Sequence, residues 1–422
     1  MISTNSCRVC GGSISPFLDL GKQCLHNVFP KPSEPEPAHY PIVVCRCQKC
    51  GCVQLQDEVP PKELYANYYY RSGLNDTMKF HISWLASEAM DLLGKREGSA
   101  LDIACNDLTL LKCMPDAFTR VGIDPSDVTK NTPAQSGITV INGYFPNDMM
   151  LGRAKPFDLI FTVAMFYDTP NPIAFAKAVK KLLAPDGLWC VEVAYLPDVF
   201  RHLSYDYFCL EHLMLYRIAD LQNIAGAAGL RAVHARKNGS NGGSVRVYFT
   251  HGPERPIQML GDKAGWKIPD AVSTREHPFK EEMVRNWHEH FFSSAEACKD
   301  FADAVKRHAD RLHCTLLDLK KAGKRVHLLG ASTKTNVVLQ YAGIDSELIQ
   351  AASERDEAKY GRYTPGTGIP IIPESNSRAL EPDVYATLLP FKEEILKREE
   401  AFLARGGQFL WVLPKCELTG KN

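Results

Sequence analysis

The chain of 422 residues contains no apolar run of the ~18 residues needed to cross a membrane. Its first residues, MISTNSCRVC, lack the charged and then apolar pattern of a secretory leader. A soluble, cytoplasmic protein is therefore expected, with no membrane partner. Charge of one sign is also missing, since 49 Lys and Arg balance 49 Asp and Glu. That balance argues against nucleic acid or an anionic surface as the main partner and favours a small ligand. Glycine is missing where it would be most informative. The apolar stretch at the start of LDIACNDLTLL runs into Cys105, Asn106 and Asp107, and Leu108 follows where a nucleotide-binding turn would offer glycine.

The cysteines, in contrast, are concentrated. Seven of the 14 lie within the first 52 residues. Cys7-Arg-Val-Cys10 and Cys47-Gln-Lys-Cys50 form two C-x-x-C pairs, the spacing of a closed tetrahedral thiolate site for structural zinc. Cys45 and Cys52 compete for the second pair. Cys45, however, is two positions from Cys47, and Cys47 pairs with Cys50 at the knuckle spacing. The assigned ligands are Cys7, Cys10, Cys47 and Cys50, holding Zn2+ without chemistry of its own.

From about residue 77, helical and strand patterns alternate. MKFHISWLASEAMDLLGK and PIAFAKAVKKLL carry helical spacing, whereas SALDIAC, RVGIDPS, GITVING, FDLIFTVAMF and GLWCVEVAY read as buried strands. The alternation implies a doubly wound parallel sheet, with ligands at the carboxyl ends of its strands. Asn106 and Asp107 follow the first strand. Asp124 ends the second, where an acid can accept hydrogen bonds from ribose hydroxyls or cap a helix. LRAVHARKNGS and GGSVRVYFTH then suggest an antiparallel pair closing the sheet, the build of common S-adenosylmethionine-dependent methyltransferases. Farther on, GASTKTN offers Ser332, Thr333, Lys334 and Asn336 at a helix start suited to phosphate. Arg362 and Tyr363 lie in a proline- and glycine-rich loop suited to a pyrophosphate or a base.

The order of CRVCGG, CQKCGCVQL, YYYRSG, CNDLTLL, GIDPS, MFYDTPNP, CLEHLMLY, NGGSVRVY, GASTKTN and GRYTPGTGIPI resembles the zinc-containing sugar C-methyltransferases acting at C3 of nucleotide-linked 4-keto-6-deoxyhexoses. The resemblance implies an α/β protein of three parts. These are a zinc domain (1–73), a class I S-adenosyl-L-methionine methyltransferase domain (74–252), and linker helices with a Rossmann-like nucleotide-sugar domain (253–422).

For the cofactor it implies Asp102, Cys105, Asn106, Asp107, Asp124, Pro125, Phe145, Met165 and Phe166. For a dTDP- or GDP-linked substrate it implies Arg71, Ser72 and the stretch Asn241, Gly242, Gly243, Ser244, together with Ser332, Lys334, Asn336, Arg362 and Tyr363. His212 is the expected base, with Glu211 orienting it and Tyr70 stabilising an enolate. Two departures stand out. Leu108 replaces the family's usual glycine, where a side chain can crowd the backbone's approach to the cofactor, and is read as a tolerated variation, and Leu210 stands where a histidine commonly precedes the glutamate. An epimerase that has lost its methyl donor, or a non-catalytic zinc adaptor, is the alternative.

Overall fold

The computed structural model describes residues 1–65, 71–74, 76–133, 135–153, 155–253, 257–260, 289–389 and 392–420. In chain order its main strands begin with β1 (Ile14–Cys24), β2 (His39–Cys47) and β3 (Val53–Leu55). The middle of the chain supplies β4 (Gly98–Ile103), β5 (Phe118–Asp124), β6 (Ile138–Asn142), β7 (Phe157–Val163), β8 (Leu183–Ala194), β9 (Met214–Leu215), β10 (Leu230–Asn238), β11 (Ser244–His251) and β12 (Gln258–Met259). The last third supplies β13 (Val326–Leu329), β14 (Ala351–Glu354), β15 (Ile371–Pro373), β16 (Val384–Thr387), β17 (Gln408–Trp411) and β18 (Glu417–Gly420).

The central sheet has the order β12-β10-β11-β8-β7-β4-β5-β6. Strands β4 to β8 pair in parallel, and β11 is antiparallel to both β8 and β10. The expected closing pair is therefore present. Both faces are covered, which explains the nearly continuous apolar runs. Leu159 and Phe161 of β7 pack with Met78, Ile82 and Leu85 of helix α1 (Asp76–Leu93). Ile160 joins the opposite cluster with Phe175 and Val179 of α2 (Pro172–Leu182) and Leu221 and Ile224 of α3 (Ile218–Ala228).

The C-terminal sheet, β15-β14-β13-β16-β17-β18, is parallel except for β18. A long helix, α4 (Ala295–Lys321), precedes it, and α5 (Thr333–Tyr341) follows β13. Helix α4 starts at Ala295, where Ser294 caps it by accepting the Ala297 N–H at 3.0 Å.

The N-terminal sheet, β9-β3-β2-β1, contains a strand from elsewhere. Strand β9 comes from the middle of the chain and pairs antiparallel with β3, and the Leu55 N–H donates to the Leu213 carbonyl at 2.9 Å. The segment ahead of β9, which contains Glu211 and His212, is thereby stitched to the cysteine-bearing sheet.

Candidate active site and metal centre

The two C-x-x-C pairs converge. The Cys7 and Cys50 sulfurs lie 3.6 Å apart and those of Cys10 and Cys47 3.5 Å apart, and all four lie within 4.8 Å of one another. These separations are far beyond a disulfide bond and match the edge of a tetrahedron of ~2.3 Å metal–sulfur bonds. The Lys49 and Cys50 N–H groups point at the Cys47 sulfur, each at 3.4 Å. Burial raises the Cys47 thiol's proton affinity, but those N–H donors together with the Cys10 and Cys50 thiols outweigh it and bring its pKa down to about 7. Cys45, buried and outside the cluster, is not a ligand. The donor set is that of structural zinc. Zinc here would fix the hairpin that receives β9.

At the other pole of the site, the loop after β4 takes an unusual path. Ala104, Asn106 and Leu108 have φ of 64°, 49° and 66°, three left-handed positions without glycine. Their neighbours hold them there. Asp124 accepts the Asn106 N–H at 2.9 Å and the Ser126 N–H at 2.7 Å, and the Thr129 hydroxyl donates to the Asn106 carbonyl at 2.9 Å. Gly122 permits the close approach, since a Cβ there would fall 2.6 Å from the Cys105 sulfur. Leu108 is 1% exposed and packs in the α1 cluster, not into the cavity. The side chain therefore does not crowd the cofactor loop, in keeping with its reading as a tolerated variation.

One cavity of about 760 Å³ runs from this loop to the C-terminal domain. Asp102, Cys105, Asn106, Asp124 and Pro125 line one end, with Phe145 and Met165 beside them. Burial, with Asp124 and Asp107 nearby, raises the Asp102 carboxyl well above its usual range. A ligand carrying positive charge and hydroxyl donors would relieve that cost. The Ser126 hydroxyl, buried on the same wall, has no hydrogen-bond partner among the described residues. These groups fit the ammonium, sulfonium and ribose of S-adenosylmethionine.

At the other end, Glu211 and His212 face the cavity. The His212 Nδ1 lies 2.9 Å from the Tyr207 carbonyl, which can only accept, so Nδ1 carries the proton and Nε2 is left as an acceptor. Burial, with Lys334 nearby, lowers the His212 pKa to about 3. Burial raises that of Glu211 to about 7, and its Oε2 has no partner among the described residues. Glu211 is therefore the better proton acceptor near neutrality. Lys334 sits 3.4 Å above the Tyr207 ring, and Ser332, the N-cap of α5, lines the same wall.

Other expected residues lie apart from the cavity. Asp107 ties down the neighbouring segment by accepting the Gly73 N–H at 2.7 Å, while Arg71 and Ser72 do line the cavity. Phe166 is buried against Phe175 and Trp189. Of the 241–244 turn, Gly242 alone is among the lining residues; Gly243 approaches Asp198, and Ser244 bonds the Ser240 carbonyl at 3.0 Å. Asn336 donates to the His26 carbonyl at 2.6 Å. Arg362 donates to the Phe29 carbonyl, and the Tyr363 N–H to the Pro30 carbonyl, both at 2.9 Å, so these two join the C-terminal domain to the zinc domain. Tyr70 and the Asn241 side chain fall outside the described residues.

Three groups escaped the sequence reading. Asp168 lines the cavity with a buried Oδ1 that has no hydrogen-bond partner among the described residues, and burial and Glu211 raise its carboxyl. Glu192 lines it from β8, holding His81 at 2.6 Å and Arg246 at 2.9 Å. His26, buried in the zinc domain, receives the Leu210 N–H on Nδ1 at 3.4 Å, immediately before Glu211. An acid inside the apolar run WCVEVAY, opposite an arginine in SVRVYF, was the available signal for Glu192.

Three family models tile the chain. A zinc binding domain matches residues 7–65, a methyltransferase domain 81–235, and a C-methyltransferase C-terminal domain 239–414. C-methyltransferase NovU of Streptomyces niveus is 24% identical over 382 residues, covering 89% of this chain and 87% of its own. A ubiquinone biosynthesis O-methyltransferase of Actinobacillus pleuropneumoniae is 30% identical over 118 residues, 25% of this chain and 49% of its own. A solved S-adenosylmethionine-dependent methyltransferase from Clostridium acetobutylicum is 15% identical, covering 43% of this chain and 94% of its own with a TM-score of 0.35. With sulfurs set for zinc, a loop suited to the methyl donor and domain matches running in series from end to end, the chain belongs to the zinc-containing family of S-adenosylmethionine-dependent C-methyltransferases.

Proposed function

We propose that the enzyme methylates C3 of a nucleotide-diphosphate-linked 4-keto-6-deoxy sugar through an enolate. The observation carrying this reading is the joining, in one cavity, of the cofactor loop with a buried carboxylate of near-neutral proton affinity. A ketone at C4 acidifies the C3 proton. Glu211 takes that proton on its unpartnered oxygen, and neutral His212 offers Nε2 as a further acceptor beside it. Asp102, Asn106 and Asp124 would hold S-adenosylmethionine, which supplies an electrophilic methyl group. Lys334 and Ser332 would receive the sugar diphosphate at the start of α5. Tyr70 would stabilise the enolate oxygen, and the working division of the chain is 1–73, 74–252 and 253–422. NovU and the C-methyltransferase domain matches support carbon as the acceptor. The epimerase alternative rested on Leu108, whose side chain turns away from the cavity.

Enolisation precedes methyl transfer, so it can be followed alone. With S-adenosylhomocysteine bound in deuterated buffer, deuterium should enter C3 of a 4-keto sugar nucleotide. Glu211→Gln should slow that exchange by about 10²- to 10⁴-fold. Exchange at the wild-type rate in Glu211→Gln, or inversion at C3 without any methylated product when S-adenosylmethionine is added, would sink the proposal.

A further inference from the structure

The hairpin that carries the four-cysteine cluster has a second metal-type donor set at its opposite end. In the register of β1 and β2, Ile14 pairs with Cys47 at one end and Cys24 with His39 at the other. The Cys24 sulfur lies 3.1 Å from His39 Nε2 and 3.7 Å from Nδ1. Glu36 Oε2 stands 3.9 Å from the same Nε2, and the three ligand atoms lie within 4.8 Å of one another. For metal–sulfur and metal–nitrogen bonds of ~2.3 and ~2.05 Å, tetrahedral angles put such donors roughly 3.3–3.6 Å apart. We propose that Cys24, Glu36 and His39 bind a second ion of the zinc class, with its fourth position open to water.

The donor chemistry selects the ion. One sulfur, one imidazole nitrogen and one carboxylate oxygen suit Zn2+, Co2+ or Ni2+, whereas Mg2+ and Ca2+ favour all-oxygen sets. A thiolate and a carboxylate together neutralise a divalent ion. Without one, burial and the nearby Glu36 hold the Cys24 thiol protonated, with its pKa pushed up to about 12. Cys24 is buried, but the side chains of His39 and Glu36 are 44% and 57% exposed, so an ion can enter without unfolding. Glu36 sits between Pro35 and Pro37, which restrict the backbone presenting it.

The site lies at a junction. The Cys24 N–H donates to Gln340 of α5 at 2.7 Å, and the loop closed by Cys24 and His39 carries His26, Phe29 and Pro30. Those residues contact the backbone before Glu211 and the Arg362–Tyr363 turn. An ion at this position would stiffen the loop that joins the zinc domain to both other parts of the chain.

The test is metal stoichiometry of the full chain, freed of loosely held ions by a weak chelator and titrated with Zn2+ and with Co2+. Two equivalents should bind, the second more weakly than the first. His39→Ala and Glu36→Gln should each weaken the second by at least about tenfold, removing a ligand rather than a supporting contact, and leave the first intact. Cys24→Ser should abolish the added thiolate-to-cobalt charge-transfer band, with near-ultraviolet circular dichroism confirming the fold. A single equivalent at saturating zinc overturns the proposal, as does a second equivalent that survives both His39→Ala and Cys24→Ser. A stoichiometry that falls with Cys47→Ser and not with His39→Ala belongs to the four-cysteine site, so failure of one site does not imply failure of the other.

Discussion

Leu108→Gly puts opposing physical effects in competition at one position. The wild-type leucine holds φ at 66°, which costs an L-residue with a side chain about 1–2 kcal/mol, and glycine removes that cost. The same leucine is 1% exposed in the α1 cluster, and truncating such a side chain costs about 2–5 kcal/mol. Glycine adds about 0.5–1 kcal/mol of unfolded-chain entropy. The balance is a loss of about 2–3 kcal/mol, read as a fall of about 5–10 °C in the transition of the central domain. Leu108→Ala should be worse than Leu108→Gly, because it loses the burial and keeps the strain. Differential scanning calorimetry measures the order Leu, Gly, Ala. Titration with S-adenosylhomocysteine should show less than about a threefold change for Leu108→Gly, since the side chain points away from the ligand. A glycine variant more stable than wild type, an alanine variant equal to it, or a tenfold gain in ligand affinity would show that the leucine is a defect of the cofactor loop.

Elemental analysis should find tightly held zinc, and Cys47→Ser should unfold the N-terminal sheet and lower deuterium exchange, whereas Cys45→Ser, outside the cluster, should cost far less; equal losses would mean that the ligands are misassigned. Folded Glu211 keeps its proton between the ordinary carboxyl value of 4.5 and about 7, so the stability it contributes is present at low pH and lost as pH rises through that window. Glu211→Gln should therefore raise the melting temperature at pH values above about 7 while slowing exchange as above, and the wild-type exchange rate should rise with an apparent pKa near 7; a melting temperature lowered across the whole range would contradict this. Glu192→Gln leaves the fully buried Arg246 short of one charged partner and should cost about 3–5 kcal/mol in thermal unfolding; a loss below about 1 kcal/mol would show that Glu88 alone satisfies it.

What was legible follows from how far apart the cooperating residues lie along the chain. The zinc ligands could be read because each pair is closed by a local turn whose spacing is itself the geometry, and the alternating runs betrayed the parallel sheet because burial on both faces leaves a continuous apolar signal. Glu192 could not be ranked in the same way. Its partners are His81, 111 residues away, and Arg246, 54 residues away, and only the strand order brings them together. Leu108 could be read only in part for a related reason, since its residue type exposed the strain but not the face to which its side chain turns, and α1 decides that face.

The same principle explains why Arg362 looks like a diphosphate ligand in sequence and behaves as a fastener in the structure. A loop rich in proline and glycine can present an arginine to a ligand or to a neighbouring carbonyl with equal ease, and the choice falls to the domain across from it. Here the zinc hairpin occupies that place. Its loop meets Arg362 through Phe29 on one side and holds the Leu210 N–H through His26 on the other. The hairpin's β3 also captures β9, just beyond His212. Glu211 and His212 are thus held from the zinc domain by two separate contacts, although the central sheet supplies the loop after β4. On the proposed mechanism, that arrangement would give a metal with no chemistry of its own a direct effect on the rate, because loosening the hairpin would displace Glu211 and His212 relative to the methyl donor, and the alignment of the two is where positioning contributes most.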